Sequence, residues 1–208
     1  MNEHKHQVIF IRGGEAFDTK EQFYDYLKNV EYDPYEKKRN RRDWLERSLC
    51  ENFDSFAPLM PNKQSADYFA WKIRFERLFP YIKKDKTIKL ILIWQSLGWL
   101  FLAKYLSENK FPKKVDQLHL VSPVFDNQGL TWETAGNFKI NTNKLKNIVP
   151  QAKQIFIYHS TDDSCVPLQH SKKYLQYLPK AKFFQFKNRW HFNQPAFMEI
   201  LQVINENM

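Results

Sequence analysis

The sequence predicts a three-layer α/β sandwich, with a mostly parallel central sheet of about six strands and helices on both faces. Two observations predict it. Short apolar runs alternate with helix-like segments along the whole chain, the pattern that buries a parallel sheet on both sides. Around Ser96, a strongly apolar run passes through a tight turn directly into a helical run, which is the unit such sheets repeat.

The strand candidates are Gln7–Ile11, Phe56–Leu59, Thr87–Ile93, Gln117–Val121, Gln154–Tyr158 and Lys182–Phe186. The run from Ile88 to Ile93 is the most strand-like and is expected at the centre. Helix starts are readable between the strands. Asp18 with Glu21 reads as a capping box opening a helix through about Asn29. Ser65 or Asp67 can cap the helix carrying Tyr68, Trp71, Phe75 and Leu78. Pro167 stands where a helix through Tyr177 begins, and Gln194-Pro195 opens a final helix from Phe197 to Ile204. The stretch from Asn127 to Val149 has few strand signals and reads as a loop with a short helix near the mouth of a site. No repeat, linker or break in composition divides the 208 residues, so one domain is expected over 1–208.

Composition narrows the function classes. With 43% hydrophobic and 16% aromatic residues the chain can build a core. The first apolar run, Val8 to Ile11, is too short for a signal peptide's core, and no stretch approaches membrane-spanning length. A soluble, cytoplasmic protein with no membrane partner is the expectation. Cys50 and Cys165 cannot form a disulfide framework, and no Cys/His spacing suggests zinc, so both read as ordinary thiols and no metal or cofactor is implied. The net charge of +9 is densest over Lys37 to Arg42. A nucleic-acid interface would pair such a cluster with exposed aromatics or a known module. Here Asp33-Pro34 supplies a helix start and Trp44, Leu45 and Leu49 an apolar side, so the cluster reads as a solvated helix face and nucleic acid is not the expected partner.

The chemistry concentrates in three places. Trp94-Gln95-Ser96-Leu97-Gly98-Trp99 follows the central strand and precedes the helical run Leu100 to Leu106. Strand, sharp turn with a serine, then helix is a nucleophile elbow, and it aims the first helical N–H groups, Leu97 foremost, at a developing oxyanion. A serine hydroxyl needs a positioned base, and that base an orienting acid. Asp162-Asp163 follows the strand Gln154–Tyr158, and His191 follows the strand Lys182–Phe186. Ser…Asp…His is the order this architecture uses, and loops at the carboxyl ends of parallel strands are where it places its chemistry. His159 and His170 compete as imidazoles, but one ends a strand and the other sits in a helix, so both read as local.

These motifs resemble the retinoblastoma-binding protein 9-like serine hydrolases, small α/β-hydrolases, over nearly the whole chain. Members carry G-x-S-L-G-G at the elbow, D-x-x-V-P after the acid strand and G-H-F at the histidine. Gln95-Ser96-Leu97-Gly98, Asp163-Ser164-Cys165-Val166-Pro167 and His191-Phe192 take those places. The resemblance implies an α/β-hydrolase-type sandwich with the triad Ser96, Asp163 and His191. It favours Asp163 over Asp162 because Asp163 lies four residues before the proline. It also implies that Arg12-Gly13-Gly14 replaces an H-G-G loop whose backbone, at Gly14, gives the second oxyanion donor.

Three departures fall at sensitive positions. Trp94, Trp99 and Trp190 stand where the family has glycine. Strand and helix approach closely at the elbow, and an indole at Trp94 is expected to force repacking at a cost of roughly a few kcal/mol. One explanation is an enlarged elbow pocket. Another comes from the counts: the chain has 5 glycines, well below the usual share of about 7%, and half of its 6 tryptophans lie at these positions. A genetic code in which UGA specifies glycine, translated with UGA as tryptophan, produces that pattern, and UGG at all three codons refutes it. Genuine tryptophans would predict reduced or absent turnover.

The expected function is hydrolysis of a small carboxylic ester, or of an amide or thioester, through an acyl-enzyme. The substrate is a small molecule with an exposed acyl group. The aromatic segment Phe69–Tyr81 either lines an acyl pocket or, the stronger reading, is a core-facing amphipathic helix. The alternative function is a catalytically impaired α/β-hydrolase-fold protein that presents a surface to a protein partner.

Overall fold

The computed structural model describes residues 5–31, 44–131, 133–194 and 196–208. Six strands form one sheet: β1 (Gln7–Ile11), β2 (Asp54–Phe56), β3 (Leu90–Gln95), β4 (Val115–Val121), β5 (Ala152–Ser160) and β6 (Lys182–Phe186). The spatial order is β2-β1-β3-β4-β5-β6, and every pairing is parallel. All carboxyl ends therefore lie along one edge. β3 and β4 occupy the middle, as the apolar run ending at Ile93 predicts.

The helices are α1 (Lys20–Asn29), α2 (Trp44–Asn52), α3 (Tyr68–Glu76), α4 (Leu97–Glu108), α5 (Gln169–Tyr177) and α6 (Met198–Glu206). Alternation along the strands divides the core into two layers. Ile9, Ile11, Leu92, Trp94, Leu118 and Ile157 face α3, α4 and α5. Val8, Phe10, Ile91, Ile93, Phe156 and Tyr158 face α2 and α6, where Leu45, Leu49, Ile200 and Ile204 complete the second layer. One polar network crosses this second layer. Buried His119 binds the Tyr158 hydroxyl at 2.9 Å and Gln117 Oε1 at 3.0 Å, and Gln117 donates to the Ile204 carbonyl. Burial pushes the His119 imidazole down to about 3, so the ring is neutral and serves to tie α6 to the sheet.

Several boundaries differ from expectation for local reasons. The second strand is Asp54–Phe56 rather than Phe56–Leu59. Its register pairs Gln7 with Asp54 and Ile9 with Phe56, Pro58 has no N–H to donate, and Leu59 is 80% exposed. The cap of α1 is Thr19, with Gln22 closing the capping box, one residue later than Asp18 and Glu21. Asp67 caps α3, donating no proton but accepting from the Ala70 amide at 2.8 Å. α6 starts at Met198 with Phe197 as its cap. The expected loop from Asn127 to Val149 carries two 3₁₀ segments, Gly136–Phe138 and Thr142–Gln151. The basic run Lys37 to Arg42 and its Asp33-Pro34 start lie outside the described residues, while Leu45 and Leu49 are buried as the apolar side of α2. Among the described residues, no helix is long and apolar enough to cross a membrane.

Candidate active site

The turn from β3 into α4 carries Ser96 at φ 53° and ψ −127°. A residue with a Cβ seldom adopts positive φ, and strain of this kind persists only where the surroundings impose it. The surroundings are visible. The Ser96 N–H donates to the Val121 carbonyl at 3.0 Å, which ties the elbow to the end of β4. A Cβ placed on Gly13 would stand 2.7 Å from Ser96 Cβ, so the loop after β1 can lie against the elbow only because it has no side chain there. Gly14 presses instead on the Lys63 backbone, where an added Cβ would meet the carbonyl oxygen at 2.6 Å. Leu97 is the first residue of α4, and its amide belongs to the set a helix cannot satisfy internally.

The loop after β5 separates its two aspartates. Asp163 Oδ2 and Oδ1 lie 2.9 and 3.1 Å from His191 Nδ1. Its carboxylate also accepts from the amides of Cys165 and Val166, each at 2.9 Å, and from Ser122 Oγ at 2.7 Å. Burial would raise this carboxyl, but the hydrogen bond and charge of His191, followed by Ser122 and the Val166 amide, hold it below the usual carboxylate range. Asp162 does something different. It accepts from the Trp190 amide at 3.1 Å and from Ser160 Oγ, while Ser160 Oγ accepts from the Arg189 amide at 3.0 Å. One aspartate thus holds the imidazole and its neighbour holds the backbone beside it.

His191 sits between two left-handed residues, Trp190 at φ 46° and Phe192 at φ 55°. Its side chain is 13% exposed, and its carbonyl accepts from Gln95 Nε2 at 3.0 Å, a direct link from the elbow to the histidine loop. Ser96 and His191 line one cavity of about 420 Å³, together with Gly13, Gly14, Glu15, Lys63, Gln64, Glu133 and Cys165. No hydrogen bond joins Ser96 Oγ to His191. Sequence reasoning missed Ser122, Gln95, Asp162's backbone role and Glu133. Glu133 carries no motif, Gln95 stands at the variable position of the elbow motif, Asp162 was weighed only as the acid, and Ser122 is marked only by being polar just past the carboxyl end of β4.

The cavity holds ionisable groups. Burial and then the charge of Glu15 push the Glu133 carboxyl up to about 6, against the opposing pull of His191. Burial likewise raises Glu15, and burial and then Arg12 lower the Lys63 ammonium. The aromatic segment does not reach this space: Tyr68, Trp71 and Phe75 are buried in the core, while Phe69, Ile73 and Tyr81 face outward. Of the competing imidazoles, His159 binds Ser171 Oγ and the Val166 carbonyl, and His170 accepts from the Phe125 amide and donates to the Gln128 carbonyl. Both are committed locally. Among the described residues, one group of His, Cys and carboxylate donors has metal-like spacing, Asp163, Cys165 and His191. The Asp163 oxygens are already filled by four donors, which suits an acid–base pair better than a cation.

The tryptophans fall into two kinds. Trp94 and Trp99 are fully buried, Trp94 stacked on Phe101 and edge-on to Phe75, Trp99 edge-on to Tyr174. The repacking expected around Trp94 is therefore an aromatic nest. Neither indole N–H finds an acceptor; the Tyr174 hydroxyl beside Trp99 donates to the Val124 carbonyl. Trp190 is 65% exposed.

No protein-family profile matches the chain, and no curated protein does. Solved structures do. The ydeN gene product of B. subtilis aligns over 97% of this chain and 98% of its own, with a TM-score of 0.69 at 18% identity. A lipase-esterase related protein from Clostridium acetobutylicum aligns over 100% and 96%, with a TM-score of 0.63 at 11% identity. Est1E from Butyrivibrio proteoclasticus aligns over 98% and 88%, with a TM-score of 0.60 at 14% identity. Likeness at these identities concerns the backbone, and the chain has the α/β-hydrolase fold.

Proposed function

We propose that the protein is a serine hydrolase that cleaves small carboxylic esters, and less readily amides or thioesters, through an acyl-enzyme. The observation that carries the reading is Asp163 holding His191 Nδ1 in the cavity that Ser96 enters from a strained elbow. The resemblance to retinoblastoma-binding protein 9-like hydrolases, which rests on the motifs, points the same way. His191 Nε2 takes the Ser96 proton as Oγ bonds to the substrate carbonyl carbon. The Leu97 and Gly14 amides receive the oxyanion. Collapse breaks the bond to the leaving group, which carries that proton away, and water then enters by the same base to release the acid. Asp163 fixes the imidazole tautomer throughout. The missing Ser96–His191 bond is compatible with this, since such contacts tighten when substrate arrives.

The lining narrows the substrate. Glu15, Lys63, Gln64, Gln95 and Glu133 line the space beside Ser96 and offer hydrogen bonds and charge to an acyl group. A short, hydrophilic acyl group fits best. p-Nitrophenyl esters of increasing chain length read this out: acetate is expected to exceed octanoate in kcat/KM, and the reverse order overturns it.

A fluorophosphonate probe tests the reaction itself, on the protein as written and on a form with glycine at 94, 99 and 190. Labelling lost in Ser96→Ala supports the hydrolase. Well-folded protein that labels in neither form supports a non-catalytic protein that binds a protein partner.

A further inference from the structure

Residues with a Cβ and a positive φ gather around one place. Among the described residues they are Asn62, Ser96, Ser122, Trp190 and Phe192. Ser96 is the proposed nucleophile, Trp190 and Phe192 bracket His191, and Asn62 adjoins Lys63 in the cavity wall. Ser122, at φ 43°, does not line the cavity and belongs to no motif. It is fully buried at the end of β4, the strand between the one carrying Ser96 and the one leading to Asp163. Glycine would adopt this backbone more readily. A serine held there must supply something glycine lacks.

We propose that Ser122 is a positioning residue for the acid–base pair, its hydroxyl fixing the Asp163 carboxylate on His191. The proposal rests on the hydrolase reading and adds to it a residue that no motif marks. Three hydrogen bonds set the geometry. The Ser122 N–H donates to the Tyr158 carbonyl at 2.9 Å, which locks the end of β4 to the acid strand. The residue before it receives the Ser96 N–H, which locks the same point to the elbow. Between these clamps, the left-handed backbone delivers Oγ to Asp163 Oδ2 at 2.7 Å. That oxygen's remaining partner is His191 Nδ1, so hydroxyl and imidazole divide it between them. The Cys165 and Val166 amides hold the other oxygen.

The charged groups around the pair leave this role to Ser122. His159 Nε2 lies 3.7 Å from Asp163 Oδ2, but that ring is spent on Ser171 and the Val166 carbonyl, and burial disfavours its protonation. Glu133 and Cys165 line the cavity side, and the hydrogen bonds to Oδ2 come from Ser122 and His191. Without the hydroxyl, Oδ2 has the imidazole alone. The carboxylate then loses one of its orienting contacts, and its hold on the imidazole loosens.

Ser122→Ala keeps the Cβ and removes the hydroxyl; Ser122→Gly removes both and relieves the backbone. Two readouts apply to each: the pH profile of fluorophosphonate labelling and the downfield Nδ1–H resonance of His191. Both variants are expected to label about tenfold more slowly, the scale of one lost hydrogen bond to a charged group. Their pH profiles should differ from that of the wild type, and the resonance should be displaced. A folded Ser122→Gly protein with wild-type labelling, profile and resonance overturns the proposal. If the unmodified protein does not label, the hydrolase reading fails separately. The resonance then decides alone: displaced in both variants it supports the positioning role, unchanged it overturns it.

Discussion

Two regions meet at Ser96, and their chemistry is opposite. Beneath the elbow, Trp94, Phe75, Phe101 and Tyr105 pack ring on ring, all fully or nearly fully buried. Above it, the cavity presents Glu15, Lys63, Gln64, Gln95 and Glu133. The floor holds β3 to α4 by apolar burial and aromatic edge contacts, which act without direction and tolerate no water. The cavity holds charge at partial burial, where each group shifts the ionisation of the next. Changes below should therefore register in stability, and changes above in rate or in pH dependence.

The sharpest contrast is between two adjacent carboxylates. Asp163→Asn leaves an amide facing His191 Nδ1, where the amide can stabilise the wrong tautomer. The rate of ester hydrolysis is expected to fall about 10⁴-fold with little change in fold. Asp162→Asn keeps an oxygen that can accept from the Trp190 amide, and should cost tenfold at most. Equal losses from both substitutions, measured as kcat, would erase the distinction between holding the ring and holding its backbone.

Below the elbow the readout changes. Trp94→Ala removes an indole whose faces are covered by Phe75 and Phe101, and is expected to cost about 3–5 kcal/mol in chemical denaturation. Its orphaned N–H offsets part of the loss, because no hydrogen bond disappears with it. Trp94→Gly is the more telling variant. If the natural residue is glycine, helix and strand can close over the space and stability will hold. A full cavity penalty would mean that the nest is built around the indole.

Much of this was legible in the sequence, but unevenly. β1 and β6 run between their expected ends because each is an apolar or aromatic run bounded by polar turns. β2 was displaced because its position depends on pairing with β1, a contact distant in the chain. The elbow was readable because strand, serine and helix are contiguous. The order of strands pointed to His191 and to the pair Asp162-Asp163, and the proline four residues on chose Asp163 through the motif it resembles, while Asp162's hold on the Trp190 amide depends on where one turn aims its side chain. Ser122 and Glu133 were harder to read: Ser122 is a single polar residue just past the end of β4, and Glu133 reaches the site from a loop whose own residues carry no pattern.

Trp190 breaks the division between floor and cavity, being an exposed indole on a backbone that favours glycine. Trp190→Gly relieves a left-handed strain of about 1–2 kcal/mol, less what glycine's freer unfolded chain takes back. A net gain of about 1 kcal/mol is expected from thermal unfolding. The codons bear on all three tryptophans together. UGA at 94, 99 and 190 would make glycine the natural residue at each, and UGG at each would leave the strained indole to be explained by function.

The smallest effect tests whether the cavity's charges behave as a unit. Glu133 has its carboxyl raised from 4.5 to about 6, first by burial and then by Glu15. A raised acid favours the protonated native state. Its contribution is therefore fully present below pH 4.5, fades as pH climbs through about 6, and above that the buried charge counts against folding. Glu133→Gln removes the ionisation. The variant should be more stable than the wild type at pH 7, with the gap closing by pH 4.5. The shift alone corresponds to about 2 kcal/mol, and solvent at the cavity mouth reduces it to about 1. Thermal unfolding at the two pH values measures it. Adding Glu15→Gln should shrink the Glu133→Gln gain, because part of the penalty at Glu133 is repulsion from Glu15. Strict additivity in that double mutant would show that the two carboxylates do not feel each other, and the cavity would then be a set of separate surface charges.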